Sequence, residues 1–257
     1  MHPEDNVQLV VLGHQKSGTT AIGALLGRIS GFGMSSDPVY MIDQGSAEVA
    51  QSLIHQPKLL RQYCRRRRDL FSQKIIKDPD LIFIYPSLKE CYRNSKFLFV
   101  VRDPRDMIRS ICNRLALKGI HQKILLSKAD MKNGNRHWEL ILSGNLPRIN
   151  EAIQNDSNFI LNLARRWNLA AEIYMNNAND MSVVKYEQFL ADKEMVIKKT
   201  AVEVGLPCVR PISEYIDVQY QPRGDRKVDW LEFFGPNNLS GIEKVCGNYM
   251  RALGYPF

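Results

Sequence analysis

Gly13-His14-Gln15-Lys16-Ser17-Gly18-Thr19-Thr20 sets two glycines five positions apart around a lysine, with hydroxyls behind them. Between an apolar strand and a helix, such a run cradles an anion, because free backbone N–H groups and the positive end of the helix dipole face one point. In the nucleoside-triphosphate loop G-x-x-x-x-G-K-[ST], the lysine follows the second glycine. Here the glycine spacing holds, but Thr19 takes that position and the lysine has moved back to 16, with Thr20 where a magnesium-binding hydroxyl would stand. No acidic strand end completes a magnesium site. The loop therefore suits a nucleotide with a short 5′ diester or mixed anhydride better than magnesium ATP.

Two further groups have phosphate or sulfate chemistry. Phe99-Val100-Val101-Arg102 ends an apolar run, and Ser110 and Arg114 follow in the next helix. An arginine at the carboxyl end of a strand lies where α/β sheets place ligands. Ser110 and Arg114 are four residues apart, hence on one helix face. A guanidinium and a hydroxyl converging on a monoester is sound phosphate recognition. Arg105 and Asp106 are expected to cap that helix or to pair with each other. Lys77-Asp78-Pro79 closes another strand, offering a cation at 77, with Asp78 expected to orient the start of the following helix.

The elements that must carry these groups follow from periodicity. Val7–Leu12, Lys74–Lys77, Lys96–Val101 and Ser182–Lys185 are short apolar runs that read as buried parallel strands. Helical patterns follow at Thr19–Ile29, Pro79–Tyr92, Pro104–Leu117 and Gln188–Val204, and an amphipathic helix at Leu239–Leu253 closes on Gly254. Pro79 and Pro104 suit a first helical turn, where a missing N–H costs nothing. Strands alternating with helices predict a three-layer α/β domain, a mostly parallel sheet with helices on both faces. We expect one domain over 1–257, with a lid or acceptor-binding insertion at about 119–158, where the pattern turns polar and irregular.

Together these motifs resemble the sulfotransferases that use 3′-phosphoadenosine 5′-phosphosulfate (PAPS). Lys16-Ser17-Gly18-Thr19-Thr20 is similar to the family's 5′-phosphosulfate loop, and Arg102 with Ser110, eight residues on, to its 3′-phosphate motif. Arg114 matches an arginine that helps bind the 3′-phosphate in the protein-tyrosine branch. Lys77-Asp78-Pro79 resembles a segment of the protein-tyrosine and carbohydrate branches whose lysine contacts the transferring sulfuryl group. Lys185-Tyr186-Glu187 is similar to a segment whose tyrosine lies near the adenine. Arg223 and Lys227, ahead of Trp230, resemble a basic loop that closes over the 3′-phosphate. The resemblance covers nearly the whole chain and implies a P-loop-like fold, PAPS as donor with 3′-phosphoadenosine 5′-phosphate (PAP) as product, and no metal. It implies nucleotide binding by residues 15–20, Gln15 included, and by Arg102, Ser110, Arg114, Tyr186, Arg223 and Lys227. Lys16 would act on the leaving bridge oxygen and Lys77 on the sulfuryl oxygens.

The sequence also departs from the family. Pro79 stands where the cytosolic branch has its histidine base, and Ala21 where many members have a tryptophan that stacks on adenine. By alignment with the protein-tyrosine branch, Asp37 is the first candidate base, with His121 and His137 as alternatives in the insertion.

Composition limits the remaining classes. The 257 residues carry a net charge of +8, half of it from Arg65-Arg66-Arg67-Arg68, which reads as a solvated face. No apolar run approaches the ~18–20 residues of a membrane span, and the polar N-terminus is unlike a signal peptide. Five scattered cysteines without a Cys-x-x-Cys pair fit reduced thiols in a cytoplasmic setting and offer no metal site. The expectation is a cytoplasmic enzyme acting on a small molecule, with neither nucleic acid nor membrane as partner. A P-loop kinase or ATPase, or a PAP-binding protein without catalysis, is the alternative.

Overall fold

Five short strands form one parallel sheet in a computed structural model that describes residues 6–42, 48–121, 136–144, 146, 158–220 and 228–256. The strands are β1 Leu9–Gly13, β2 Met34–Ser36, β3 Ile75–Lys77, β4 Lys96–Val101 and β5 Met181–Lys185. Their order is β2-β3-β1-β4-β5, and every neighbouring pair is parallel. The helices are α1 Thr19–Ser30, α2 Pro38–Ile42, α3 Glu48–His55, α4 Leu60–Arg66, α5 Arg68–Phe71, α6 Tyr85–Cys91, α7 Pro104–Arg114 and α8 Arg136–Ser143. They continue with α9 Phe159–Asn176, α10 Tyr186–Ala191, α11 Lys193–Glu203 and α12 Trp230–Ala252, and a 3-10 segment spans Pro79–Ile84.

Strand alternation sends successive side chains to opposite faces, and both faces are covered. Val10, Leu12, Ile76, Phe97, Phe99 and Val101 pack with Leu88 of α6, Ile108 of α7, Trp167 of α9 and Ile242 of α12. Leu9, Val11, Ile75, Leu98 and Val100 pack with Leu25 and Leu26 of α1 and Ile197 and Ala201 of α11. This burial on both sides is why the strands read as continuous apolar runs rather than as alternations.

Several boundaries differ from the sequence expectation. The Pro79–Tyr92 helix divides at residue 84, because Pro86 lacks an N–H and α6 must restart with it in its first turn. The Gln188–Val204 helix divides at Asp192, whose side chain caps α11 through the Met195 N–H. The last helix begins earlier, at Trp230, and breaks at Gly235 ahead of Pro236. β2 and α9 carry no expectation from the sequence. Most of the insertion at about 119–158 lies outside the described residues, which include α8 within it.

The parallel register brings the strand ends to one edge. Ser36 and Val11 both pair with Lys77, Gly13 with Val100, and Val101 with Lys185. The residues that follow, 14–20, 37, 78–80, 102–103 and 186, therefore gather along a single rim. β1 lies at the centre with its neighbours on either side, the position where open α/β sheets bind ligands.

Candidate functional site: an anion loop between two clefts

The loop after β1 is held open by backbone geometry. Lys16 and Gly18 have left-handed φ of 65° and 94°. A Cβ at Gly18 would sit 2.3 Å from the Tyr186 ring, so position 18 admits no side chain. A Cβ at Gly13 would come within 2.5 Å of the Val100 carbonyl oxygen. No side chain caps α1 at Gly18, leaving the first N–H groups of the helix for a ligand at the loop mouth. Ser17 is fully buried, and its Oγ has no hydrogen-bond partner among the described residues.

Cations crowd this loop. Arg102 donates through Nη1 to the Lys16 carbonyl at 3.1 Å and lies 4.8 Å over the Tyr186 ring. Burial first, then the charges of Arg114 and Arg102, lower the Lys16 pKa to about 8. Such a cluster is poorly balanced by itself and becomes favourable when an anion enters it.

Two clefts open on either side of the loop. One, of about 390 Å³, is bounded by Lys16, Gly18, Thr19, Thr20 and Ala21, then by Arg102, Arg109 and Ser110, with Tyr186 and Phe189 opposite. The other, of about 330 Å³, is bounded by Asp37, Lys77, Arg114 and His137 and by the aromatic rings of Tyr40 and Trp138. Lys16, Thr19, Thr20 and Tyr220 line both, and so form the partition between them.

In the second cleft Lys77 and Asp37 meet, Nζ donating to Oδ2 at 2.5 Å. The contact follows from the sheet. Ser36 pairs with Lys77, and the Asp37 N–H donates to the Lys77 carbonyl at 2.7 Å before the chain turns at a left-handed φ of 51°. Lys77 is 2% exposed, while the Asp37 side chain is 40% exposed and faces the cleft. Asp78 caps the segment after β3, accepting from the N–H groups of Asp80 and Val39 at 3.0 and 2.9 Å, as expected of a residue that orients the helix start.

The sequence candidates divide between the clefts. Lys16, Gly18, Thr19, Thr20, Arg102, Ser110 and Tyr186 line the first. Arg114 does not: one turn beyond Ser110 on α7, it lines the second. Gln15 also faces the second cleft, and its Nε2 donates to Asp80 Oδ1 at 2.8 Å. Of the alternative bases, His137 lines the second cleft, whereas exposed His121 lines neither. Arg223 and Lys227 lie outside the described residues.

Arg105 and Asp106 do not pair with each other. Arg105 binds Asp103 at 2.7 Å and Glu243 at 3.1 Å, and Asp103 caps α7. Asp106 accepts from Arg109 at 2.6 Å and from the Trp230 indole at 2.9 Å. Arg109 and Asp80 are the site residues that sequence reasoning passed over. The position of Arg109 beside Ser110 was the available signal; for Asp80 the signal was a second carboxylate in Lys77-Asp78-Pro79-Asp80.

The layer order, the central β1 and the loop at its carboxyl end define a sulfotransferase fold. Sulfotransferase STF9 from Mycobacterium avium superimposes with a TM-score of 0.58 at 10% identity, over 99% of this chain and 78% of that one. Sulfotransferase STF1 from Mycobacterium tuberculosis H37Rv gives 0.53 at 14% identity, over 95% and 77%. Mouse sulfotransferase SULT7A1 complexed with PAP gives 0.50 at 14% identity, over 96% and 85%. No family model and no curated protein sequence matches the chain. Among the described residues no helix is long and apolar enough to cross a membrane.

Proposed function

We propose that this chain is a PAPS-dependent sulfotransferase, moving a sulfuryl group to a hydroxyl or amine of a small acceptor and releasing PAP. The observation that carries the reading is the partition: Lys16, Thr19 and Thr20 face two clefts at once, so a donor and an acceptor held on either side would meet across them. The loop fits a phosphosulfate. Its left-handed turns, the buried Ser17 Oγ without a partner and the uncapped start of α1 are the features of an anion cradle. The fold shared with a sulfotransferase solved with PAP supports the same ligand here.

In this reading the donor lies in the first cleft. Arg102 and Ser110 hold its 3′-phosphate, Tyr186 faces the adenine, and the backbone N–H groups of residues 17–20 hold its 5′-phosphate. Lys16 supplies positive charge to the bridging oxygen as the S–O bond breaks. Lys77, buried and aimed at the second cleft, stabilises the sulfuryl oxygens. Charge placed in advance in a site with little water is the main source of acceleration in such transfers, and alignment of the two reactants supplies most of the rest.

Asp37 is the general base, taking the proton of the attacking hydroxyl. It has the exposure to reach an acceptor, and it lies against Lys77 in the second cleft. A cytoplasmic setting belongs to the same reading, and the scattered cysteines, none in a disulfide among the described residues, support it.

A thermal-shift comparison tests the whole reading. Stabilisation by PAP in the absence of metal is expected. Stabilisation by magnesium ATP and none by PAP would return the chain to the kinase class.

A further inference from the structure

The lining of the second cleft includes a carboxylate that neither the sequence motifs nor the transfer chemistry uses. Asp80 is 6% exposed and joins three segments far apart in the chain. Its Oδ1 accepts from Gln15 of the anion loop at 2.8 Å and from Arg166 of α9 at 3.1 Å. Its Oδ2 faces His137 Nε2 of α8 at 2.8 Å. Arg166 is fully buried, so the charge of Asp80 is required whether or not His137 is protonated.

We propose that Asp80 is a positioning residue that fastens α8, one wall of the second cleft, to the anion loop through the His137 imidazolium, so that seating of an acceptor depends on the charge of His137. The inference rests on reading the second cleft as the acceptor site. α8 buries His137, Leu140, Ile141 and Leu142, and carries Trp138 into the cleft beside His137. The ring edge of His137 also meets Tyr40 of α2, with centroids 5.5 Å apart, so one imidazole touches two walls.

The groups facing His137 act in opposite directions. Burial and Arg166 oppose its charge and Asp80 favours it, with Asp78 behind; the net direction for His137 is upward. Asp78 is itself pushed up to about 8 by burial and by the charges of Asp80 and Asp37. Asp37, Lys77, Lys16, Arg114 and Tyr40 line the same cleft. Burial would raise the Asp80 pKa as well, but His137, Arg166 and Gln15 together hold it below the usual carboxylate range. The tether is therefore complete below the ordinary imidazole pKa and weakens as pH rises through the higher folded value.

The experiment is amide hydrogen exchange across residues 136–143, corrected for intrinsic rates and followed with pH. It is paired with nuclear magnetic resonance titration of the His137 ring among the five histidines. The wild type and His137→Gln are compared, with Asp80→Asn as a second variant if it folds. Wild-type protection should fall about tenfold or more as His137 deprotonates, the scale of one charge-assisted hydrogen bond. His137→Gln should start at the lower protection and show no such step. A His137 that titrates like a solvated histidine, or a step that survives in His137→Gln, would overturn the proposal. PAP binding, measured on the same samples, is expected in both proteins. Its absence from the wild type would sink the sulfotransferase reading and with it the acceptor role of the tether, while the exchange step would still report whether the tether exists.

Discussion

Lys16 is a cation that lines both clefts. It stands between two arginines with its pKa at about 8, and its ammonium is present below that pH and lost above it. An anion in the first cleft binds the ammonium form, so PAP affinity should fall as pH rises through about 8. Calorimetric titration at several pH values checks this, and Lys16→Arg should flatten the profile because a guanidinium stays charged. Lys16→Ala should lower turnover by about 10²–10³-fold, the usual loss when one charge-stabilising donor is removed. In the proposed function Asp37 acts on the acceptor and leaves donor binding to other residues. Asp37→Asn should lower kcat by about 10²–10⁴-fold, the range for a general base, while PAP binding stays within error. Equal turnover in wild type and Asp37→Asn, measured with radiolabelled PAPS, would move the base elsewhere.

At the scale of elements, the loop after β1 and the turn after β5 depend on each other. Gly18 has a left-handed φ of 94°, and the Tyr186 ring occupies the space a methyl group would need. Gly18→Ala should therefore abolish PAP-induced stabilisation. Adding Tyr186→Ala should restore it in part, relieving the clash but not the backbone strain. Behind the loop, Arg166→Met leaves Asp80 with a buried charge facing only Gln15 and His137. Removing one partner of a buried ion pair costs about 3–5 kcal/mol, so melting should fall by many degrees in differential scanning calorimetry.

The same scale shows what the sequence could carry. The loop, Lys77 and Arg102 were legible because each depends on local backbone, a strand end followed by a turn or a helix start. Asp80 was not, since its partners lie 65 and 86 residues away and meet it through tertiary packing. Arg114 shared a helix face with Ser110 as expected, yet the partition passes between them and the two serve different clefts. β2 escaped notice because three residues, Met34–Ser36, hold no readable period. They take strand form from pairing with β3.

For the whole molecule, the +8 charge has two separate components. Arg65, Arg66 and Arg68 are exposed on α4 and α5, Arg67 is paired with Asp69 at 2.8 Å, and none of the four lines a cleft. Exposed charges outside a site are screened by physiological salt. Replacing Arg65, Arg66 and Arg68 with Gln should therefore leave PAP affinity unchanged at 150 mM salt, as judged by calorimetry. The cations that line the two clefts are few, and Lys16, Lys77 and Arg102 stand at one rim of the sheet.

The proposed function also carries an order of events. In it donor and acceptor fill the two clefts together and meet across Lys16, Thr19, Thr20 and Tyr220, which face both sides. A covalently sulfated form of the protein would have no place in such a cycle. Steady-state lines at varied acceptor concentrations would then intersect rather than run parallel. A chiral sulfuryl group would leave with its configuration inverted after a single displacement.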